Sequence, residues 1–127
     1  MSFLTIFTAP KSFINPHIAT IQRNAILSWL NLSDEVDVFV IGDEPGLAEA
    51  CADLKVHWLP EVRRNALGTP LVSSMFELAR QNSQSPLLLC ANADILFLPG
   101  LLSAARQVSS LKKNLRIKRV DKLGLVL

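Results

Sequence analysis

The segment Pro86-Leu87-Leu88-Leu89-Cys90-Ala91-Asn92-Ala93-Asp94 decides the fold of this chain. Its apolar run from Leu87 to Ala91 is typical of a strand covered on both faces, because such a strand tolerates little polarity. Two polar side chains, Asn92 and Asp94, follow the run. In an extended segment they would point to the same side. Since open α/β sheets bind ligands at the carboxyl ends of their strands, Asp94 is the first candidate for a metal or phosphate-linked site.

Strand-like and helix-period segments alternate on either side of this strand. The first predicted helix begins at Asn15-Pro16, because Asn is a good capping residue and Pro fits a first turn. Thr69-Pro70 gives the same signal for a later helix, and 115–127 is expected to form one more strand. The alternation implies crossover connections, and therefore a mainly parallel α/β sheet with helices on both faces. The other predicted strands lie at 3–8, 36–41 and 56–59.

Composition limits the class of protein. The 127 residues are expected to form a single α/β domain with a core at 1–111 and a basic, apolar tail at 112–127, and the net charge of +2 gives no electrostatic argument for nucleic-acid binding. No apolar run approaches the roughly 18 residues of a transmembrane span, and the start lacks the pattern of a signal peptide. Cys51 and Cys90 have no metal-ligand spacing and are expected to be buried, reduced thiols. We therefore predict a cytoplasmic protein.

Unusual polar residues follow each predicted strand. In a parallel sheet these strand ends share one edge, so side chains far apart in sequence are expected to meet there. Carboxylates suit a hard cation and arginines suit phosphate, so a divalent ion and an arginine could share the neutralisation of a diphosphate. The residues in question are Thr8 and Ala9, Asp43 with Glu44, Arg63 and Arg64, and Asn92 with Asp94.

Each of these residues also has an ordinary structural explanation. Asp94 is equally compatible with capping the following turn, and Asp43 is more readily explained as a helix-capping acceptor. Arg63 and Arg64 fit ordinary loop charges, and Thr8 fits the last residue of its strand. The functional interpretation therefore depends on their convergence.

Several motifs are absent from the sequence. No Gly-x-Gly-x-x-Gly follows the first strand, and no phosphate-binding loop ends in Gly-Lys-Ser/Thr. Neither a Gly-x-Ser-x-Gly elbow nor a zinc-ligand set is present. These absences argue against a dinucleotide-binding domain, a P-loop NTPase, an α/β-hydrolase and a zinc enzyme.

The order of these segments resembles the nucleotide-sugar-binding, N-terminal half of GT-A-fold glycosyltransferases, family-two-like members in particular. The resemblance covers roughly residues 3–110 and implies a Rossmann-like half of that fold. Such enzymes are usually much longer, and the missing portion normally supplies the acceptor site and the general base. The resemblance therefore implies a truncated product, an isolated domain or a relic. The matching segments are Leu4 to Ala9, Ile41 to Asp43, Arg64-Asn65-Ala-Leu-Gly68-Thr-Pro70 and Leu87 to Asp94.

The resemblance implies a role for each matching residue. Thr8 and Ala9 would line the pocket of the nucleotide base. Asp43 would accept a hydrogen bond from the base or the ribose. Arg64, with Arg63 as its substitute, would lie near the base or the diphosphate.

Asn92 and Asp94 would form the Asp-x-Asp element of such enzymes, binding the nucleotide together with Mg²⁺ or Mn²⁺. Asp94 would lie nearest the ion, and Asn92, in place of an acidic residue, removes one negative charge. We therefore expect a protein that binds a nucleotide-diphosphate sugar and transfers the sugar to an acceptor hydroxyl. No catalytic base is predicted, and autonomous activity stays open because the acceptor half is missing.

Two other functions remain compatible with the sequence. One is a non-catalytic α/β binding or assembly module that forms a homodimer, because an incomplete sheet leaves an exposed edge and the segment 123–127 is apolar. The other is a small nucleotidyltransferase, although the glycine-rich first loop usual for such enzymes is absent.

Overall fold

The structure, a computed structural model, describes residues 2–97, 99–114 and 123–126. Its strands are joined in a five-stranded sheet in which every pair of neighbours is parallel. The predicted mainly parallel α/β fold is therefore confirmed. The strands are β1 (Leu4–Thr8), β2 (Val36–Ile41), β3 (His57–Leu59), β4 (Leu87–Cys90) and β5 (Leu123–Val126), and the helices are α1 (Pro16–Leu30), α2 (Leu47–Leu54), α3 (Val72–Asn82) and α4 (Gly100–Asn114).

The order of the strands across the sheet is β3-β2-β1-β4-β5. The chain moves outward from β1 to β3 and then crosses to the other side of β1 to form β4. Thr8 is level with Val40, and Phe7 is level with Cys90, so the carboxyl ends of β2, β1 and β4 lie side by side. The strand order therefore reverses between β1 and β4. Open α/β sheets bind their ligands at such a position.

Helices cover both faces of the sheet, as predicted. Strand side chains alternate between the faces, so Leu4 and Ile6 of β1 pack with α1, α2 and α4, whereas Phe7 packs with α3. Trp29 of α1 is fully buried on the face that carries Leu4 and Ile6. On the opposite face the rings of Phe76 and Phe7 pack edge to face, with their centroids 4.8 Å apart. The two apolar layers leave the strand ends as the place for polar chemistry.

One predicted helix start is confirmed and the other is wrong. The Asn15 side chain accepts hydrogen bonds from the N–H groups of His17 and Ile18, and α1 begins at Pro16. By contrast, Thr69-Pro70 does not start a helix, because Pro70 pairs with Arg64 in an antiparallel bridge. This bridge keeps the chain extended, and α3 begins only at Val72.

The strand expected in the C-terminal region is present as β5, which pairs with β4. Four residues of the predicted tail therefore belong to the sheet, and the remaining division into core and tail stays a prediction. Most of its basic cluster, from Arg116 to Arg119, lies outside the described residues. Within residues 2–97, 99–114 and 123–126, no helix combines the length and the apolar character needed to cross a membrane.

Candidate functional site

A cavity of about 390 Å³ opens at the carboxyl ends of β1 and β4. It lies at the strand-order reversal, and its volume falls within the usual range for small-molecule sites. Three short segments form its wall: the residues after β1, one face of α1, and the residues after β4. They are Ala9, Pro10 and Lys11; Ile18, Ile21 and Gln22; and Asn92, Ala93 and Asp94.

Asn92 and Asp94 both line this cavity, but through a turn rather than an extended segment. β4 ends at Cys90, and the Ile95 N–H donates a hydrogen bond to the Asn92 carbonyl at 3.3 Å. The expected extended geometry is therefore wrong, because the chain already turns away from the sheet here. Both polar side chains are nonetheless exposed, whereas Ala93 between them is buried.

The side chains of Asn92 and Asp94 make no hydrogen bond or ion pair within the described part of the chain. The Asp94 carboxylate therefore does not cap the turn that follows it. Its oxygens are exposed at the cavity, where a hard cation could bind them.

Helix α1 holds the segment that follows Asp94. The indole N–H of Trp29 donates to the Ile95 carbonyl at 2.8 Å, and the Phe97 N–H donates to the Ser28 hydroxyl at 3.1 Å. The rings of Trp29 and Phe97 also pack together, with centroids 5.7 Å apart. These contacts reach mainly the backbone of the segment, so they position Asp94 without using its carboxylate.

Lys11 and Gln22 line the same cavity, and the sequence reasoning missed both. Gln22 is only 4 % exposed. Its amide oxygen accepts from the Lys11 N–H at 2.7 Å, and its amide nitrogen donates to the Lys11 carbonyl at 3.0 Å. A polar residue on the buried stripe of α1 and a lone cation between β1 and α1 were the signals available in the sequence.

Asp43 and Arg64 meet at the end of β2, as a direct ion pair. One guanidinium nitrogen of Arg64 lies 2.9 Å from Asp43, and another lies 2.9 Å from Glu44 and donates to the Gly68 carbonyl at 2.8 Å. Gly42 is buried at φ +117°, and a Cβ there would lie 3.4 Å from the guanidinium. Arg64 is thus neutralised by two carboxylates before any ligand binds.

The Asp43 and Asp94 positions lie on the same edge of the sheet. They follow β2 and β4, which flank β1, so their strands are about 10 Å apart at the usual strand spacing. The loops after β1 and β2 are joined, because the Pro45 carbonyl accepts from the Phe13 N–H at 3.0 Å and from the Ser12 hydroxyl at 3.1 Å. Arg63 lies apart from this group, in an ion pair with Glu77 of α3.

Thr8 and Ala9 occupy the end of β1, in the centre of this edge. Ala9 lines the cavity. Thr8 is buried, and its hydroxyl is the one buried side-chain polar atom without a hydrogen-bond partner in residues 2–97 and 99–110. An unpaired buried hydroxyl is unfavourable, and the predicted role of Thr8 in the base pocket stays a prediction.

Of the cavity-wall residues that the structure describes, Asp94 is the sole acidic one. Across the described ranges, no three His, Cys, Asp or Glu side chains form a group that could hold a metal ion. Mg²⁺ is often bound by one or two carboxylates together with substrate phosphates, and such a site needs no protein cage. Asp94 and Asn92 fit that mode of binding, and the Mg²⁺ or Mn²⁺ assignment stays a prediction.

Cys51 and Cys90 are buried and unpaired, as expected. Burial raises the pKa of the Cys51 thiol to about 11 and also raises the pKa of the Cys90 thiol. Neither thiol lines the cavity, so both belong to the core.

No protein-family model matches this chain, and searches of curated proteins and of solved structures found no match. The GT-A resemblance therefore stays a prediction.

Proposed function

We propose that this chain binds a nucleotide-diphosphate sugar together with Mg²⁺ or Mn²⁺ at the carboxyl edge of its sheet, as the glycosyltransferases that it resembles do. One observation carries the proposal. The Asp94 carboxylate, which has no hydrogen-bond or ion-pair partner among the described residues, lies with Asn92 in a cavity of about 390 Å³ at the strand-order reversal. A carboxylate in that position suits an ion that bridges phosphate oxygens.

The two ends of the edge would contact different parts of the ligand. Asp94 and Asn92 would hold the metal ion and, through it, the diphosphate. The Asp43 side chain is 71 % exposed, and Arg64 binds only one of its oxygens. The other oxygen would accept a hydrogen bond from the ribose or the base, with Ala9 against the ring between the two ends.

If the chain catalyses transfer, the metal ion would stabilise the departing diphosphate while an acceptor hydroxyl attacks the anomeric carbon. Transfer also requires an acceptor and a general base, and we assign neither. We therefore propose binding of the nucleotide-diphosphate sugar and assign no catalytic residue.

A non-catalytic assembly module that dimerises is the second candidate, and exposed apolar side chains favour it. Ile14, Leu67 and Leu96 are exposed, Leu67 to 92 %. They lie in the connections that follow β1, β3 and β4, at the same edge as the cavity. Exposed apolar side chains can contribute to a contact surface with another chain.

Thermal unfolding of the chain tests the leading proposal. The melting temperature should be measured with UDP, GDP, ADP, CDP and TDP, each with and without Mn²⁺, and with Mn²⁺ alone. A ligand at about 100 times its Kd stabilises a protein by about 2.7 kcal/mol, which corresponds to several degrees. We expect such an increase for at least one nucleotide, and only when Mn²⁺ is present.

An unchanged melting temperature across the whole panel would contradict nucleotide binding. Light scattering then distinguishes the second candidate. A stable dimer without any nucleotide response would favour the assembly module.

A further inference from the structure

One buried amide fastens the connection between β1 and α1. Gln22 uses both ends of its side chain on the backbone of a single residue, Lys11, at 2.7 and 3.0 Å. A buried amide without partners is costly, so this pair of bonds strongly favours one path for the loop. Lys11 is therefore held at the cavity although its side chain is exposed.

Among the described residues, Lys11 and Asp94 are the two charged residues in the cavity wall. Neither forms an ion pair with the other or with another side chain in the described part of the protein. The arginines near this edge differ, because Arg64 binds Asp43 and Glu44, and Arg63 binds Glu77. The ammonium group of Lys11 can therefore bind an anion without breaking an internal bond.

The charges of the cavity match a diphosphate diester. The positive charge of Lys11 and the negative charge of Asp94 cancel, so a bound divalent ion would give the site a net charge of about +2. A diphosphate diester, the form found in nucleotide-diphosphate sugars, carries two negative charges. The three donors on the mobile Lys11 ammonium could reach oxygens on both phosphates.

We propose that Lys11 binds the diphosphate of the ligand and that Gln22 is the residue that positions Lys11. This inference deepens the proposed function and rests on it. It gives the diphosphate contact to the loop after β1, whereas the family resemblance implied that Arg64 would lie near the base or the diphosphate. The recognised group is a phosphate anhydride, so a nucleoside without phosphates gains nothing from Lys11.

Calorimetric titration of the chain with UDP and with uridine, both in Mn²⁺, tests this inference. If another base gives the larger melting shift, its diphosphate and nucleoside take their place. Lys11→Met should weaken UDP binding about tenfold, because a charge-assisted hydrogen bond is lost, and should leave uridine binding unchanged. Lys55→Met is the matched control, since Lys55 is exposed at the C-terminal end of α2, and it should change neither affinity.

A double-mutant cycle tests the positioning role of Gln22. Gln22→Met should weaken UDP binding about threefold in the wild-type background and hardly at all in Lys11→Met, because its effect passes through Lys11. A merely structural role would weaken binding equally in both backgrounds.

The outcomes separate the two proposals. If the wild-type chain binds no nucleoside diphosphate, both proposals fail. If it binds UDP and Lys11→Met binds it equally well, the Lys11 assignment is overturned while the proposed function stands. If Gln22→Met does not fold, the Lys11→Met titration still decides the phosphate contact.

Discussion

At the β2 end of the sheet edge, Arg64 binds Asp43 and Glu44. At the β4 end, where the loops after β1 and β4 line the cavity, Lys11 and Asp94 pair with nothing in the described part of the chain. Charged groups that already pair with each other must break an internal bond before they bind a charged ligand. Charged groups without an internal partner can bind a charged ligand directly. Under the proposed function, the β4 end would therefore bind the charge of the ligand, and the ion pairs at the β2 end would hold its loop in place.

The two ends are also anchored in comparable ways. Each has one indole N–H bound to a backbone carbonyl, from Trp29 to Ile95 at 2.8 Å at the β4 end and from Trp58 to Gly42 at 2.7 Å at the β2 end. Trp29 is fully buried, whereas Trp58 is 40 % exposed. The β4 end is therefore the more firmly embedded in the core, although its charges are unpaired.

The largest expected effect comes from truncating these two anchors. Trp29→Ala should lower the free energy of unfolding by about 3 to 5 kcal/mol, because it empties a fully buried site. Trp58→Ala should cost about 1 to 2 kcal/mol, since much of its ring already contacts water. Urea unfolding measures both values. Equal losses would contradict the difference in anchoring.

Asp94→Asn should produce the next largest effect, on binding. Loss of the carboxylate should weaken Mn²⁺-dependent nucleotide binding on the order of 100-fold, as expected when a metal ligand is removed. The melting temperature without ligand should stay the same, because this exposed carboxylate makes no hydrogen bond or ion pair with any residue that the structure describes.

Asp43→Asn is the matched control at the β2 end. It should weaken binding only a few-fold and should keep the Mn²⁺ requirement. If Asp43→Asn removed the Mn²⁺ requirement and Asp94→Asn kept it, the roles of the two ends would be reversed.

Arg64→Met should have a smaller effect, on stability. It leaves two carboxylates without their partner, and we expect a loss of about 1 kcal/mol, limited because Asp43 is largely exposed and screened by solvent. Added salt should shrink the difference from the wild type. Lys11→Met should not change stability at all, and a similar loss in both variants would remove the contrast between paired and unpaired ends.

The smallest expected effect is a loss of folding stability at alkaline pH. Burial raises the pKa of Cys51 from its usual 9.0 to about 11, so in the unfolded chain this thiol ionises first. Folding stability should therefore be fully present below pH 9 and should fall as the pH rises from about 9 to about 11. Cys51→Ala should make the decline shallower in urea unfolding at pH 8 to 10.5.

Cys90→Ala gives the same test at the end of β4, because the pKa of Cys90 is raised by burial as well. An unchanged slope in both variants would show that other groups cause the alkaline decline.

Much of the fold was predictable from local patterns. The apolar run ending at Ala91 and the Asn15 cap each act within a few residues, and both predictions agree with the structure. The start of α3 was not predictable in this way, because Thr69-Pro70 is held extended by pairing with Arg64, which lies in a different part of the loop.

The candidate site was predictable only in part. The parallel sheet implied that Asp43 and Asp94 follow strands ending at one edge. The sequence did not reveal that Arg64 is already neutralised or that Gln22 holds Lys11 from eleven residues away. These facts depend on distances between elements, which a linear pattern does not contain.

By itself the sequence determined the alternation of strands and helices and the edge at which polar residues follow the strands, because apolar periodicity is a local property. Only the tertiary structure decided which charges at that edge pair with each other and which remain open to a ligand. The physical reason is that ion pairing requires side chains to meet within a few ångströms, and that proximity arises only once β1, β2 and β4 lie side by side.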